Sequence, residues 1–107
     1  MREWVIRARA TWRAVGTVQV ALPAGGPVAG PAEGAWVVAR EAQGRGYATE
    51  AARSLAGRLH VDGWPVLAHI HPGHLASQRV AAAAGLAPAS HVLDGEIRWV
   101  TQPGPAP

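Results

Sequence analysis

Near its start the chain alternates. Trp4, Ile6, Ala8 and Ala10 fall on one side and Arg7 and Arg9 on the other, the period of a half-buried strand. Residues 15–21 predict a second strand with Val18 and Val20 on one face. The short link Thr11-Trp12-Arg13-Ala14 would join the two as an antiparallel hairpin. Residues 22–31 are rich in Gly and Pro and predict an exposed loop. The run GAWVVA, residues 34–39, predicts a third and largely buried strand.

From residue 47 the period changes. Ala48, Ala51, Ala52, Leu55, Ala56 and Leu59 share one helical face, while Thr49, Glu50, Arg53 and Arg58 lie elsewhere, so residues 47–61 predict a helix stopped at Gly63. Residues 66–70 form a short apolar run between turn signals, as an interior strand does, and Pro72-Gly73 breaks it. A second helix follows over 75–84, ended by Gly85. Val92-Leu93 and residues 97–100 flank Asp94-Gly95, a strong hairpin signal. The order β-β-β-α-β-α-β-β implies a mixed α/β or α+β sheet with helices packed on it. It reads as one domain over residues 1–101, with no internal repeat and a loose tail at 102–107.

Composition narrows the chemistry. The chain has 107 residues, room for one domain of ordinary size, and 49% of them are hydrophobic. All ten basic residues are arginine and the formal net charge is +3. Without lysine there is no Walker-type phosphate loop and no Schiff-base chemistry. Without cysteine there are no disulfides, thiolate zinc sites or cysteine nucleophiles. Phenylalanine is absent too, so the five tryptophans should mostly serve the core. No stretch matches a bilayer span or a signal peptide, which predicts a soluble, cytoplasmic protein.

The most informative stretch is VVAREAQGRGYATEA, residues 37–51. A strand ends, a short loop follows, and a helix begins within Gly44-Arg45-Gly46-Tyr47. Amides at a helix start lack partners inside the helix and sit at the positive end of its macrodipole. Glycine lets a ligand approach the backbone closely. Such a place suits a phosphate, and Arg45 adds charge nearby. An ordinary strand-to-helix turn has the same local pattern. A dinucleotide-binding loop fits poorly: Gly44-x-Gly46-x-x-Thr49 lacks the third glycine, and residues 66–70 hold no acid for a ribose.

Gln43-Gly44-Arg45-Gly46-Tyr47-Ala48 resembles the Gln/Arg-x-x-Gly-x-Gly/Ala signature of the GNAT superfamily of N-acetyltransferases. The continuation Thr49-Glu50-Ala51 is similar to the branch that includes the ribosomal-protein N-terminal acetyltransferases. Ala32-Glu33-Gly34-Ala35-Trp36, the run HPGHLASQRVAAAAGL from His71 and the ending LDGEIRWV resemble further segments in the same order. Typical members carry another strand and two helices ahead of the segment that Trp4 begins, and those helices wall the acceptor site.

The resemblance implies a mostly antiparallel sheet in which two central parallel strands, 34–39 and 66–70, splay into a V. It implies acetyl-CoA as co-substrate, with its pantetheine arm along Trp36, Val37 and Val38. The pyrophosphate would sit on Gln43, Gly44, Arg45, Gly46, Tyr47, Ala48 and Thr49. The reaction would be direct attack of a primary amine on the thioester in a ternary complex. Glu33 is the candidate base for the amine proton and Ser77 the candidate donor to the leaving thiolate. His74 stands where the branch usually has Asn, as a candidate cofactor contact. The tyrosine often found on the second helix is absent, Tyr47 being the only one.

Two other functions stay open in the sequence. One is a shortened GNAT-like module that binds CoA or a partner protein without catalysis. The other, disfavoured for want of a recognised motif or stacking pattern, is a basic nucleic-acid-binding domain. His69, His71 and His74 form a His-x-His-x-x-His cluster, expected to line the cleft and not to hold a metal. The first strand is expected to be an open edge, suited to pairing two copies as a homodimer.

Overall fold

The structure, a computed structural model, describes residues 1–101, so the expected tail lies outside the described residues. Six strands and two helices follow in the order β1 (Arg2–Arg7), β2 (Ala14–Ala21), β3 (Ala32–Val38), α1 (Tyr47–Val61), β4 (Val66–Ile70), α2 (Leu75–Ala83), β5 (Leu86–Leu93) and β6 (Glu96–Thr101). Single turns of 3-10 helix stand at Pro27–Ala29 and Arg40–Ala42. The strands make one sheet in the spatial order β1-β2-β3-β4-β6-β5. Every neighbouring pair is antiparallel except β3 and β4. The mixed, mostly antiparallel architecture expected from the sequence is the one observed.

Both helices pack on the same face of this sheet. Leu59 of α1 and Ala81 of α2 join Val20, Ala32, Val66, Ala68, Ile70 and Trp99 in one buried cluster. Alanine dominates the contact: Ala52 and Ala56 are the other buried residues of α1, so its axis can lie close to the strands. The helix closes with the Trp64 amide donating to the Leu59 carbonyl at 2.9 Å, a wrapped C-terminal turn.

Three expectations need correction. The third strand is half-buried: Ala32 and Gly34 face the helices, whereas Glu33, Ala35 and Val37 are exposed. Its apolar run suggested two covered faces, but among the described residues no helix lies on the other face. β1 ends at Arg7, with a register shift between Ile6 and Arg7, so Ala8 and Ala10 do not continue its alternation. Instead Ala8 opens the hairpin loop, its amide donating to the Arg13 carbonyl at 2.9 Å, and its side chain packs with Val15 and Ala42. Finally, β5 begins at Leu86, six residues before the expected strand at Val92, and is irregular between Pro88 and Val92. Pro88 and small residues hide a strand that the sheet edge tolerates.

The tryptophans divide. Trp99 is buried and Trp36 and Trp64 pack against the main cluster, while Trp4 is partly exposed on β1. Trp12 is 70% exposed at the hairpin tip, with positive φ of 61° and the Arg7 guanidinium over its ring.

Candidate functional site

β3 and β4 pair at only two positions, Ala32 with Val66 and Glu33 with Leu67. Beyond them each strand keeps its outer neighbour. β3 stays in register with β2 as far as Val38, and β4 with β6 as far as Ile70. Each leaf is therefore intact while the seam between them opens. Past Glu33 the edge of β3 that faces β4 has no ladder partner there, and a backbone edge of this kind accepts an extended ligand as an added strand.

Two clefts occupy the opening. One, of about 230 Å³, lies between residues 34–36 and residues 68–70 and reaches His74 and Ser77. The other, of about 380 Å³, has Trp36, Val37 and Val38 on one wall, the loop around Gly44 and Gly46 on the next, and α2 opposite. Trp36, His74 and Ser77 line both, so the two clefts join.

The loop is built to offer donors. Gly44 and Gly46 have φ of +80° and +83°, the left-handed region that favours glycine. They fold the chain so that α1 begins directly after Gly46. The first helical hydrogen bond runs from the Glu50 amide to the Gly46 carbonyl, 3.0 Å. Among the described residues, no protein acceptor receives the amides of residues 44–49. The Gln43 side chain ties this loop to the end of β3 by donating from Nε2 to the Val38 carbonyl at 3.1 Å. Gln43, Gly44, Gly46, Tyr47, Ala48 and Thr49 all line the larger cleft. Arg45 is exposed and does not line it. Tyr47 is half-buried against Ala8, Val15 and Ala42, so part of its ring serves packing.

Around the junction of the clefts the histidines have defined duties. His74 caps α2: its Nδ1 accepts from the Ser77 amide at 3.1 Å, the service an Asn side chain gives at a helix start. His71 Nδ1 accepts from the Gly73 amide at 3.1 Å. Ser77 uses its amide for this cap, and its hydroxyl makes no hydrogen bond among the described residues. His69 lines the smaller cleft and its Nδ1 lies 2.8 Å from Glu33 Oε1. Glu33 is thus joined to the cleft through His69 and does not line it. No group of three His, Cys, Asp or Glu among the described residues is close enough to hold a metal.

His69 lines the cleft as expected, and sequence reasoning missed Arg79 and the contact of His69 with Glu33. Arg79 of α2 lines the larger cleft, the cation there that Arg45 was expected to be. Its signal was weak, one arginine in an alanine-rich helix. The contact of His69 with Glu33 had a signal once the strands are paired, because period two along β4 puts His69 on the same face as Leu67, the residue paired with Glu33.

The profile of the Acetyltransferase (GNAT) domain matches residues 1–87. Among solved structures, a protein assigned as a GnaT-family acetyltransferase from Bordetella pertussis superposes with a TM-score of 0.69 at 28% identity, over 92% of this chain and 62% of that one. An acetyltransferase from Agrobacterium tumefaciens str. C58 gives 0.75 at 20% identity, over 94% and 60%. A protein assigned as a ribosomal-protein-serine acetyltransferase from Vibrio cholerae gives 0.67 at 19% identity, over 94% and 63%. The chain thus spans less than two thirds of the length of these structures. No curated protein matches it.

Proposed function

Since the chain belongs to the GNAT acetyltransferase family, we propose that it transfers an acetyl group from acetyl-CoA to a primary amine by direct attack in a ternary complex. The observation that carries this reading is the seam of the sheet. It opens after Glu33 and Leu67 into a cleft that leads to a loop with free amides at residues 44–49. Those amides and the positive end of α1 suit a diphosphate, and Arg79 adds charge on the facing wall. The free edge of β3 at Trp36, Val37 and Val38 suits the amide-bearing pantetheine arm. Bound there, acetyl-CoA supplies an activated acyl thioester at the junction of the clefts.

The chain's own groups then divide the work. The backbone amide of Val38, on the edge of β3 turned away from β2, faces the thioester carbonyl and stabilises the negative charge that gathers on its oxygen. Glu33, with its side chain 52% exposed, takes the proton that the amine gives up, directly or through one water. The Ser77 hydroxyl donates to the departing thiolate. A carbon–nitrogen bond forms, the carbon–sulfur bond breaks, the one proton lost by the amine passes to the carboxylate, and the proton that Ser77 gives to sulfur is restored from Glu33 through solvent, so the products are the amide and the CoA thiol. The acceptor is a primary amine. β1 lies at one edge of the sheet with Trp4 44% and Val5 51% exposed, and we assign this edge as the surface that pairs two copies.

The test is release of free CoA thiol from acetyl-CoA in the presence of a panel of amines: a polyamine, an aminoglycoside and a short peptide with a free amino terminus. Amine-dependent thiol release is expected. Thermal stabilisation by CoA with no thiol release would make the chain a binding module. Indifference to CoA with steeply salt-dependent binding to DNA or RNA would make it a nucleic-acid binder.

A further inference from the structure

We propose that His69 is the positioning residue of the transfer site, holding the Glu33 carboxylate as a hydrogen-bond donor from Nδ1 without itself receiving the substrate proton. The proposal rests on the reading of Glu33 as the base and adds a residue and a tautomer to it.

Three observations lead there. First, the contact crosses the seam at its critical point. Glu33 is the last residue of β3 paired to β4, and His69 is two residues beyond its partner Leu67 on the same face. The 2.8 Å bond between His69 Nδ1 and Glu33 Oε1 is therefore anchored on both sides of the opening. Second, the two groups differ in access. The Glu33 side chain is 52% exposed and that of His69 only 15%. One carboxylate oxygen is held by the ring, and a free oxygen is left to the incoming amine. Third, His69 Nε2 is buried and has no partner among the described residues. A buried N–H without an acceptor costs more than an unmet lone pair on a neutral ring, so the arrangement favours the proton on Nδ1 and a bare Nε2. A sealed Nε2 and an engaged Nδ1 leave the imidazole no free atom with which to act as the base.

Charged groups flank the ring on both neighbouring strands. From β6, Arg98 is in register with His69, and its own Nε is buried without a partner among the described residues. From β3, Glu33 faces the ring. Glu96 of β6, with His71 and His74, completes the titratable lining of the same cleft. Orientation matters here because a free glutamate has three rotatable bonds, and a base misplaced by about 1 Å loses on the order of 100-fold in rate.

The test combines kinetics with nitrogen NMR of the whole chain, using whichever amine of the panel is turned over fastest. His69→Ala is expected to lower kcat about 10- to 100-fold while the KM for acetyl-CoA stays within about twofold. His69→Asn, whose amide can take the place of Nδ1–H, should recover most of the loss. In a Glu33→Gln background, His69→Ala should have no further effect, because the ring acts only through the carboxylate. Long-range proton–nitrogen spectra should find His69 protonated on Nδ1 alone. An equal loss in both backgrounds, an unchanged kcat in His69→Ala, or a proton on Nε2 overturns the proposal. A native chain that gives no amine-dependent thiol release overturns the transferase reading itself, and that failure is seen before any substitution is made.

Discussion

Gly16 of β2 lies so close under the Val37 carbonyl oxygen of β3 that a side-chain carbon at residue 16 would overlap it. The obstacle is backbone, which cannot rotate away as a side chain can. Val37 and Val38 also wall the larger cleft, so a shift of this strand reaches the site. Gly16→Ala should destabilise the fold by about 1–3 kcal/mol, as overpacking does. It should also weaken CoA binding. Denaturant titration and CoA-dependent thermal shift measure the two effects.

The donor loop has its own test. Gly46 adopts φ +83° with nothing within 4 Å of where a Cβ would stand, so steric room is ample and the strain is in the backbone. Gly46→Val forces a β-branched residue into the left-handed region, at about 1–2 kcal/mol or more. It should abolish the thermal shift given by CoA; unchanged binding would refute the phosphate role of this loop. Gly57→Ala, within α1 and also unobstructed, is the control: it should stabilise by up to about 1 kcal/mol and leave CoA binding alone.

Ser77 offers a clean separation of chemistry from folding. The cap of α2 uses its amide, so Ser77→Ala leaves that hydrogen bond in place. If the hydroxyl serves the leaving sulfur, kcat should fall about 100-fold while the melting temperature stays within a degree or so. A loss of stability without loss of kcat would return Ser77 to a structural part.

The edge at β1 predicts association. Light scattering at working concentration should give twice the chain mass, and Val5→Lys, which puts a charge on the exposed edge strand, should shift the mass toward the monomer. A native monomer would reject this surface.

The local elements were legible in the sequence where one physical signal dominated. Tyr47–Val61 and Val66–Ile70 stand where periodicity and breakers put them, and the Asp94-Gly95 turn joins β5 to β6 as expected. The start of β5 was hidden because Ala87, Pro88 and Ser90 are poor strand formers that only an edge position tolerates. The burial of β3 was over-read, since an apolar run does not say how many faces are covered. At the site, the glycine loop could be read because it is contiguous. The Glu33–His69 contact spans 36 residues of sequence and depends on which strands become neighbours. His74 looked like a lost asparagine, yet its ring nitrogen reproduces the cap.

Because β3 and β4 are paired in the ladder at only two positions, the sheet behaves as two stiff pages, β1–β3 and β4–β6, bound along a short spine. The pages are otherwise tied mainly by the helices lying across their back. Amide protons bonded inside each page should exchange with solvent slowly, and those that point into the gap, at Trp36, Val38 and His69, much faster. A ligand laid into the gutter becomes the missing stitching, so its arrival should slow exchange on both margins at once.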